Sequence, residues 1–218
     1  LVAKGGAMWI TENSTLEVQD PRPSPNKSKI AASVLTKIYV VDADGKNLKR
    51  LTKSNQNEFK PIWSPDGRWI AYTTWSHARG GHIYKMRADG KGKPRQLTNI
   101  EAFYTDLAFS PDGSTIVAMR GNEFLRNQTF SEFGGLRIPL ELISLPAKGG
   151  EQTVIKALDS GRYPHFGPEA DRVYLTGDDG LFSLTLSGTD YRDEMTVNAP
   201  RGNRRGDDPP RAEVIYMH

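Results

Sequence analysis

The sequence predicts an all-β fold, a partial β-propeller of four-stranded antiparallel blades with about four whole blades. Three observations predict it. One tight turn recurs at intervals of a blade, the residues around each turn favour strands, and no stretch of ten or more residues keeps a helical period. A sandwich would also contain short hairpins, but it gives no reason for the same turn and strand to recur at blade spacing.

The recurring turn reads Ser-Pro-Asp-Gly in its clearest copies. Its four copies, each taken with the residue before the turn, lie at residues 23–27, 63–67, 109–113 and 166–170, so Trp63, Phe109 and Phe166 align. Their prolines stand at positions 25, 65, 111 and 168, so the spacings are 40, 46 and 57 residues. Proline fixes φ, serine or aspartate bonds back to the backbone, and glycine closes the turn. Because the first and fourth copies carry Asn-Lys and Glu-Ala in place of Asp-Gly, we expect those two turns to be looser.

Short runs rich in Ile, Val, Tyr, Trp and Thr flank each turn, and such residues favour strands. In the second unit the predicted strands lie at about 59–64, 68–75, 81–88 and 94–98. Residues 1–218 form one predicted propeller segment, with whole blades at about 16–53, 57–98, 103–157 and 161–197 and partial blades at 1–15 and 211–218. Because an isolated half-blade leaves a strand edge bare, we expect a longer parent protein.

The composition excludes several classes of protein. Cysteine is absent, which excludes a disulfide scaffold, a thiolate metal site and a cysteine nucleophile. The 29 Lys and Arg and 26 Asp and Glu give a net charge of +3 that is spread along the chain, so no nucleic-acid partner is predicted. No apolar run approaches the roughly 20 residues of a membrane span, so no membrane span is predicted either.

No catalytic arrangement is visible in the sequence. The four histidines form no His-x-His pair, and neither a Gly-x-Ser-x-Gly elbow nor a phosphate-binding glycine loop is present. His77 and His82 are five residues apart in a glycine-containing loop, where a solvated and a strand histidine are a better explanation than a metal pair. We therefore predict no catalytic residue, metal site or cofactor in this segment and leave open whether the parent is an enzyme.

The first candidate binding feature is the start of each innermost strand, where side chains reach the mouth of the central channel. The candidate residues are Glu58, Lys60, Tyr104, Asp106, Arg162 and Tyr163. Their charged and aromatic groups would suit a small polar ligand or a peptide. The alternative is a water-filled channel without a ligand.

The second candidate is a long insertion at residues 120–138 of the third blade. It carries Phe124, Phe130 and Phe133 among arginines. Loops beyond roughly 12–15 residues are uncommon unless they are functional or disordered, and exposed apolar residues mark contact surfaces. We predict a docking loop for another domain or subunit. The alternative is that the loop folds back over its own blade.

These repeats resemble the TolB-like propeller family, whose repeat carries the Ser-Pro-Asp-Gly turn. The sequence stretches that vary between the repeats, taken in order, resemble those of one subgroup, the N-terminal propeller segment of large bacterial amidohydrolase-related proteins. The stretches that carry this resemblance are Asp-Pro-Arg-Pro-Ser-Pro at 20–25, Trp-Ser-Pro-Asp-Gly-Arg-Trp-Ile-Ala-Tyr at 63–72, Gly-Gly-His-Ile-Tyr at 80–84, Phe-Tyr-Thr-Asp at 103–106 and Pro-His-Phe-Gly-Pro at 164–168. The resemblance covers roughly residues 15–218.

The resemblance implies a non-catalytic propeller segment that binds, gates or scaffolds in an exported protein, periplasmic or secreted. It places catalysis in a separate barrel that holds a divalent metal such as zinc, which activates water and polarises the scissile carbonyl. The implied partner is that catalytic domain or another protein. Two alternatives stay open: a stand-alone TolB-type scaffold of the bacterial envelope, and the propeller domain of a serine peptidase.

Overall fold

The computed structural model describes residues 2–4, 7–9, 18–76, 80–122, 139–159, 161–178 and 180–196. Over these ranges the protein contains strands and turns and no helix, as the sequence predicts. Strands β1 (Val2–Lys4) and β2 (Ala7–Trp9) form a two-stranded antiparallel sheet. The remaining strands form four antiparallel sheets of four strands each, which are the blades of a β-propeller.

Each blade contains its strands in chain order. The first blade consists of β3 (Val18–Pro23), β4 (Lys29–Val34), β5 (Lys37–Asp42) and β6 (Lys49–Arg50). The second consists of β7 (Asn57–Trp63), β8 (Trp69–Trp75), β9 (Ile83–Arg87) and β10 (Arg95–Gln96). The third consists of β11 (Phe103–Phe109), β12 (Thr115–Gly121), β13 (Leu140–Pro146) and β14 (Thr153–Leu158). The fourth consists of β15 (Arg162–Phe166), β16 (Arg172–Thr176), β17 (Gly180–Thr185) and β18 (Arg192–Thr196).

The first strand of each blade is the innermost one. Contacts between neighbouring blades join β3 to β7, β7 to β11 and β11 to β15. The strand bounds in the second blade lie within two residues of those predicted from the sequence. Residues 211–218, which the sequence places in a partial blade, lie outside the described residues.

The hydrophobic core lies between the blades, in three clusters that each join two neighbours. Trp63 packs against the cluster between the first and second blades, Phe109 against the next, and Phe166 against the last. All three aromatic residues are half-buried and occupy the same register, opposite Ile70, Ile116 and Val173 respectively. The alignment of the repeats by their turn prolines is therefore confirmed.

The Ser-Pro-Asp-Gly turns are closed by side chains as well as by the backbone. In the second blade the Ser64 hydroxyl donates to Asp66 Oδ1 at 2.5 Å and accepts from the Trp69 N–H at 3.0 Å. The Gly67 N–H donates to the Ser64 carbonyl at 2.9 Å. The hydrogen bond from Ser64, followed by that from the backbone N–H of Arg68, lowers the pKa of Asp66 to about 2. This carboxylate therefore stays ionised down to acidic pH.

The first turn has the same hydrogen bonds as the second and third turns, so the expectation of a looser turn is wrong there. Asn26 takes the place of aspartate and accepts from the Ser24 hydroxyl at 2.8 Å. Lys27 takes the place of glycine with φ 58°, and its N–H donates to the Ser24 carbonyl at 2.8 Å. Asparagine offers the same acceptor oxygen as aspartate, and the lysine backbone adopts the left-handed conformation that glycine adopts elsewhere.

The fourth turn differs because glycine replaces its serine. Here the buried Arg172, which is 1% exposed, links the turn to β17. Its guanidinium lies 3.0 Å from Glu169 Oε2 in the turn and 2.8 Å from Ser183 Oγ in β17. It also pairs with Asp190. A buried arginine with several acceptors thus holds the start of β16 in this blade.

We expect Gly67→Val to lower the free energy of unfolding by roughly 1–3 kcal/mol, because Gly67 has φ +68° and a β-branched residue is strained there. A Cβ atom at this position would make an ordinary van der Waals contact with Pro25 Cδ at 3.8 Å, so the cost lies in the backbone. Gly67→Asn is the matched control, because asparagine tolerates this conformation better. Urea unfolding followed by tryptophan fluorescence measures both. Equal midpoints for valine and wild type would contradict the argument.

Candidate functional site

Each innermost strand bends at a β-bulge, and the four bulges are equivalent. The pairing with the second strand is interrupted between Gln19 and Arg22, Phe59 and Ile62, Thr105 and Ala108, and Arg162 and His165. Inside each bulge one residue has left-handed backbone: Asp20 (φ 51°), Lys60 (φ 53°), Asp106 (φ 49°) and Tyr163 (φ 56°). We call these four residues the bulge ring.

The local sequence explains the bulges. Proline follows the ring residue in three blades, as Pro21, Pro61 and Pro164. Proline has no N–H to donate to a ladder, so within sheets it is confined to edges, strand starts and bulges. Leu107 takes this place in the third blade, so the bulge forms there without proline. Left-handed backbone at a residue other than glycine costs of order 1–3 kcal/mol, and such residues cluster at functional sites.

The charged members of the bulge ring connect three neighbouring blades. Lys60 Nζ lies 2.9 Å from Asp20 Oδ1 in the first blade and 3.9 Å from Asp106 Oδ1 in the third. The side chains are 32% exposed for Lys60, 19% for Asp20 and 6% for Asp106. The lysine thus bridges two carboxylates inside the channel and lies much closer to Asp20 than to Asp106.

Two cavities lie between the innermost strands. The first, of about 490 Å³, is lined by Asp20 and Lys60 together with Trp75 and Phe103, whose rings meet edge to face at 5.6 Å. The second, of about 550 Å³, is lined by residues of all four innermost strands, Asp106 among them. Lys60 lines one cavity and Asp106 the other, so their ion pair lies between the two.

Three of the six candidate residues predicted from the sequence lie in the bulge ring, and the other three do not. Lys60, Asp106 and Tyr163 belong to the bulge ring, and Tyr163 is 59% exposed. Arg162 precedes Tyr163 and is half-buried on β15. Asp20 completes the ring in the first blade and was not among the six candidates, although its Asp-Pro pair five residues before the turn proline is a usable signal.

Glu58 and Tyr104 are not free channel groups. The Glu58 side chain is buried, and its carboxylate accepts hydrogen bonds from the hydroxyls of Thr52 and Ser54, the latter at 2.7 Å. Tyr104 is 2% exposed, and its hydroxyl lies 2.7 Å from the carbonyl oxygen of Ile100. Burial raises the pKa of Tyr104. Its ring contributes to the wall of the first cavity, but its polar end is occupied.

The histidines that the structure describes have packing partners. His82 Nδ1 lies 3.1 Å from Thr98 Oγ1, and burial lowers the His82 pKa. The His165 ring stacks on Tyr174 with centroids 5.7 Å apart. Across the described ranges no three His, Asp or Glu side chains come together in a group that could hold a metal ion. The same ranges contain no helix long and apolar enough to cross a membrane.

Two predicted features lie outside the described residues. These are His77 and residues 123–138 of the insertion, which include Phe124, Phe130 and Phe133; residues 120 and 121, where the insertion was predicted to begin, belong to β12. The docking role of that insertion stays a prediction.

We expect Lys60→Met to destabilise the protein, because it leaves the nearly buried Asp106 without its nearest cation. Lysine and methionine are both unbranched at Cβ, so the cost of the left-handed backbone is similar in the two proteins. In a double-mutant cycle with Asp106→Asn, thermal or urea unfolding should give a coupling of roughly 0.5–3 kcal/mol. Additive effects of the two substitutions would show that the ion pair carries no stability.

Comparison with known proteins identifies relatives among bacterial propellers. The family model of the TolB beta propeller domain matches residues 5–134. The Tol-Pal system protein TolB of Thioalkalivibrio sulfidiphilus is 40% identical over 58 residues, which is 27% of this chain and 13% of that protein. The TolB of Francisella tularensis subsp. mediasiatica is 32% identical over 83 residues, 38% of this chain and 19% of that protein. The uncharacterized peptidase YuxL of Bacillus subtilis is 26% identical over 112 residues, 47% of this chain and 17% of that protein.

Solved structures share the fold at lower sequence identity. The putative TolB from Agrobacterium tumefaciens superposes with a TM-score of 0.66 at 14% identity, over 84% of this chain and 64% of that one. An oligogalacturonate lyase in complex with manganese superposes with a TM-score of 0.60 at 17% identity, over 84% of this chain and 60% of that one. The matched region thus spans less than a fifth of each curated relative named above and less than two thirds of each solved chain. The family model covers more than half of the residues of this chain, and the chain therefore belongs to the TolB beta propeller domain family.

Proposed function

We propose that this chain is a binding propeller without catalytic residues of its own, and that its channel takes up a polypeptide segment of a partner protein or of a neighbouring domain. The observation that carries the proposal is the bulge ring. Four equivalent strained residues on the innermost strands supply two carboxylates, an ammonium group and an exposed tyrosine.

The channel has the dimensions and chemistry of a binding site. Its two cavities, of about 490 and 550 Å³, fall within the range of roughly 300–1,000 Å³ typical of ligand pockets. Both combine aromatic walls with a few charged groups, which is the usual composition of sites that fix the orientation of a ligand. A polypeptide supplies apolar side chains for such walls and polar groups for the ring.

We place the protein in the bacterial periplasm or outside the cell. The similarity to Tol-Pal system proteins supports an envelope location. The same similarity favours a protein-binding role over a role with nucleic acids, in agreement with a net charge of only +3 spread along the chain.

We propose further that the propeller serves a catalytic domain of the amidohydrolase type, which would use a divalent metal such as zinc. The order of the sequence stretches that resemble the amidohydrolase-related subgroup supports a parent protein of this type. Among the described residues no three His, Asp or Glu side chains form a group for a metal ion, and we assign no catalytic step to them. The similarity to a protein named as a peptidase favours the alternative of a serine peptidase parent, and the TolB matches favour a stand-alone scaffold.

A photoreactive phenylalanine analogue tests the binding role. Placed at Tyr163 of the full-length protein in cells, it should crosslink to a polypeptide, because this side chain is 59% exposed and lies at the channel. The control is the same analogue at Val154, which is 45% exposed on the outermost strand of the third blade. Mass spectrometry identifies the adducts. Equal crosslinking from Val154, or none from Tyr163, would overturn the proposal.

Amide hydrolysis tests where catalysis resides. Purified 1–218 with added zinc should release no amine from peptide substrates above the buffer rate. The full-length protein distinguishes the three parents: activity lost to a chelator indicates the amidohydrolase, activity lost to a serine-directed phosphonate indicates the peptidase, and no activity indicates the scaffold. Turnover by 1–218 that disappears in the His77→Ala, His82→Ala double variant would contradict the proposal.

A further inference from the structure

Asp106 is a buried carboxylate whose polar contacts are incomplete. Its side chain is 6% exposed, and no hydrogen-bond donor of the described part of the chain reaches its oxygens. The nearest cation is Lys60 Nζ, 3.9 Å from Oδ1, and that ammonium lies 2.9 Å from Asp20. An ionised carboxylate has about four acceptor positions. Asp106 therefore has acceptor capacity that an N–H donor from outside could fill.

The backbone directs this carboxylate into the second cavity. Asp106 is the left-handed residue of the third bulge and lines that cavity with Leu107 and Ala108. A bulge aims a side chain away from the regular alternation of its strand. The position of the carboxylate is thus determined by strand pairing on both sides of it.

The walls of the second cavity suit a cation. Trp63, Phe109 and Tyr163 line it, and the first two are half-buried against the core clusters between the blades. A guanidinium or ammonium group is attracted to the faces of such rings. Arg22, the other charged residue that lines this cavity, is exposed to solvent, where salt screens its repulsion. His165 has its Nδ1 3.2 Å from the carbonyl oxygen of Tyr163.

We infer that the second cavity binds the cationic side chain, arginine or lysine, of a polypeptide, with Asp106 accepting its N–H groups and the aromatic walls enclosing its stem. This inference rests on the proposed uptake of a polypeptide by the channel. It assigns the chemical class of the residue that the channel selects and the carboxylate that selects it.

Fluorine NMR of the full-length protein labelled with fluorotryptophan tests the inference. The Trp63 signal, assigned with Trp63→Phe, reports on the wall of the second cavity. The probes are the peptide acetyl-Gly-Ser-Arg-Ser-Gly-amide, its counterpart with citrulline, which has the shape of arginine without the charge, and its counterpart with glutamate. The arginine peptide should shift the signal with a Kd about 10-fold or more below that of the citrulline peptide, since hydrogen bonds to charged groups are the stronger ones.

Asp106→Asn should raise the Kd of the arginine peptide about 10- to 100-fold. Asparagine tolerates left-handed backbone, so the bulge should persist, and an unchanged circular dichroism spectrum checks this. Asp112→Asn is the matched control in the same blade. It lies in the turn, where the first blade naturally has Asn26, and it should leave the Kd unchanged.

The remaining outcomes separate this inference from the proposed function. Equal Kd values for the arginine and citrulline peptides, unaffected by Asp106→Asn, would overturn the cationic anchor and leave polypeptide binding intact. Preference for the glutamate peptide would overturn the anchor in the same way. If no peptide shifts the Trp63 signal at millimolar concentration, the anchor is overturned, and crosslinking from Tyr163 decides separately on polypeptide binding.

Discussion

The bulge in each innermost strand is the constraint on which the channel depends. In a regular strand successive side chains alternate between the two faces. The bulge interrupts this alternation, so that Glu58 is buried with its carboxylate held by Thr52 and Ser54, while Lys60, two residues later, extends into the channel. The left-handed conformation at the ring residue is unfavourable by itself, and the pairing of the strand on both sides of the bulge maintains it.

The same kinds of contact recur between neighbouring blades, both at the turns and in the core. Pro25 of the first turn lies beside Gly67 of the second, and Pro65 of the second lies beside Gly113 of the third. Each core cluster likewise joins only two neighbours, so stability is distributed as in other repeat proteins, where each unit contacts the next. The Asp20–Lys60–Asp106 connection is different, because it joins three blades through one side chain.

The fold and the strand register could be predicted from the sequence because each turn is formed by a few adjacent residues whose pattern can be recognised without knowing the tertiary structure. The spacing of the turn prolines was sufficient to align Trp63, Phe109 and Phe166, and the structure confirms their equivalence. The direction of individual channel side chains was not predictable from alternation alone, because the bulge changes it. Proline inside a strand is the signal for that bulge in three blades, and it is absent at Leu107. Lys27 in left-handed backbone was missed because glycine is the usual residue there.

The four ring positions carry Asp, Lys, Asp and Tyr on the same backbone conformation. Three different side-chain chemistries are thus compatible with one bulge, and the blades around them differ little. The turns and the inter-blade clusters maintain the scaffold, while the bulge accepts different side chains at the ring. A propeller built in this way can acquire a new ligand in evolution by substitutions at the ring, single ones at Tyr163 and paired ones at Lys60 and Asp106, whose charges depend on each other.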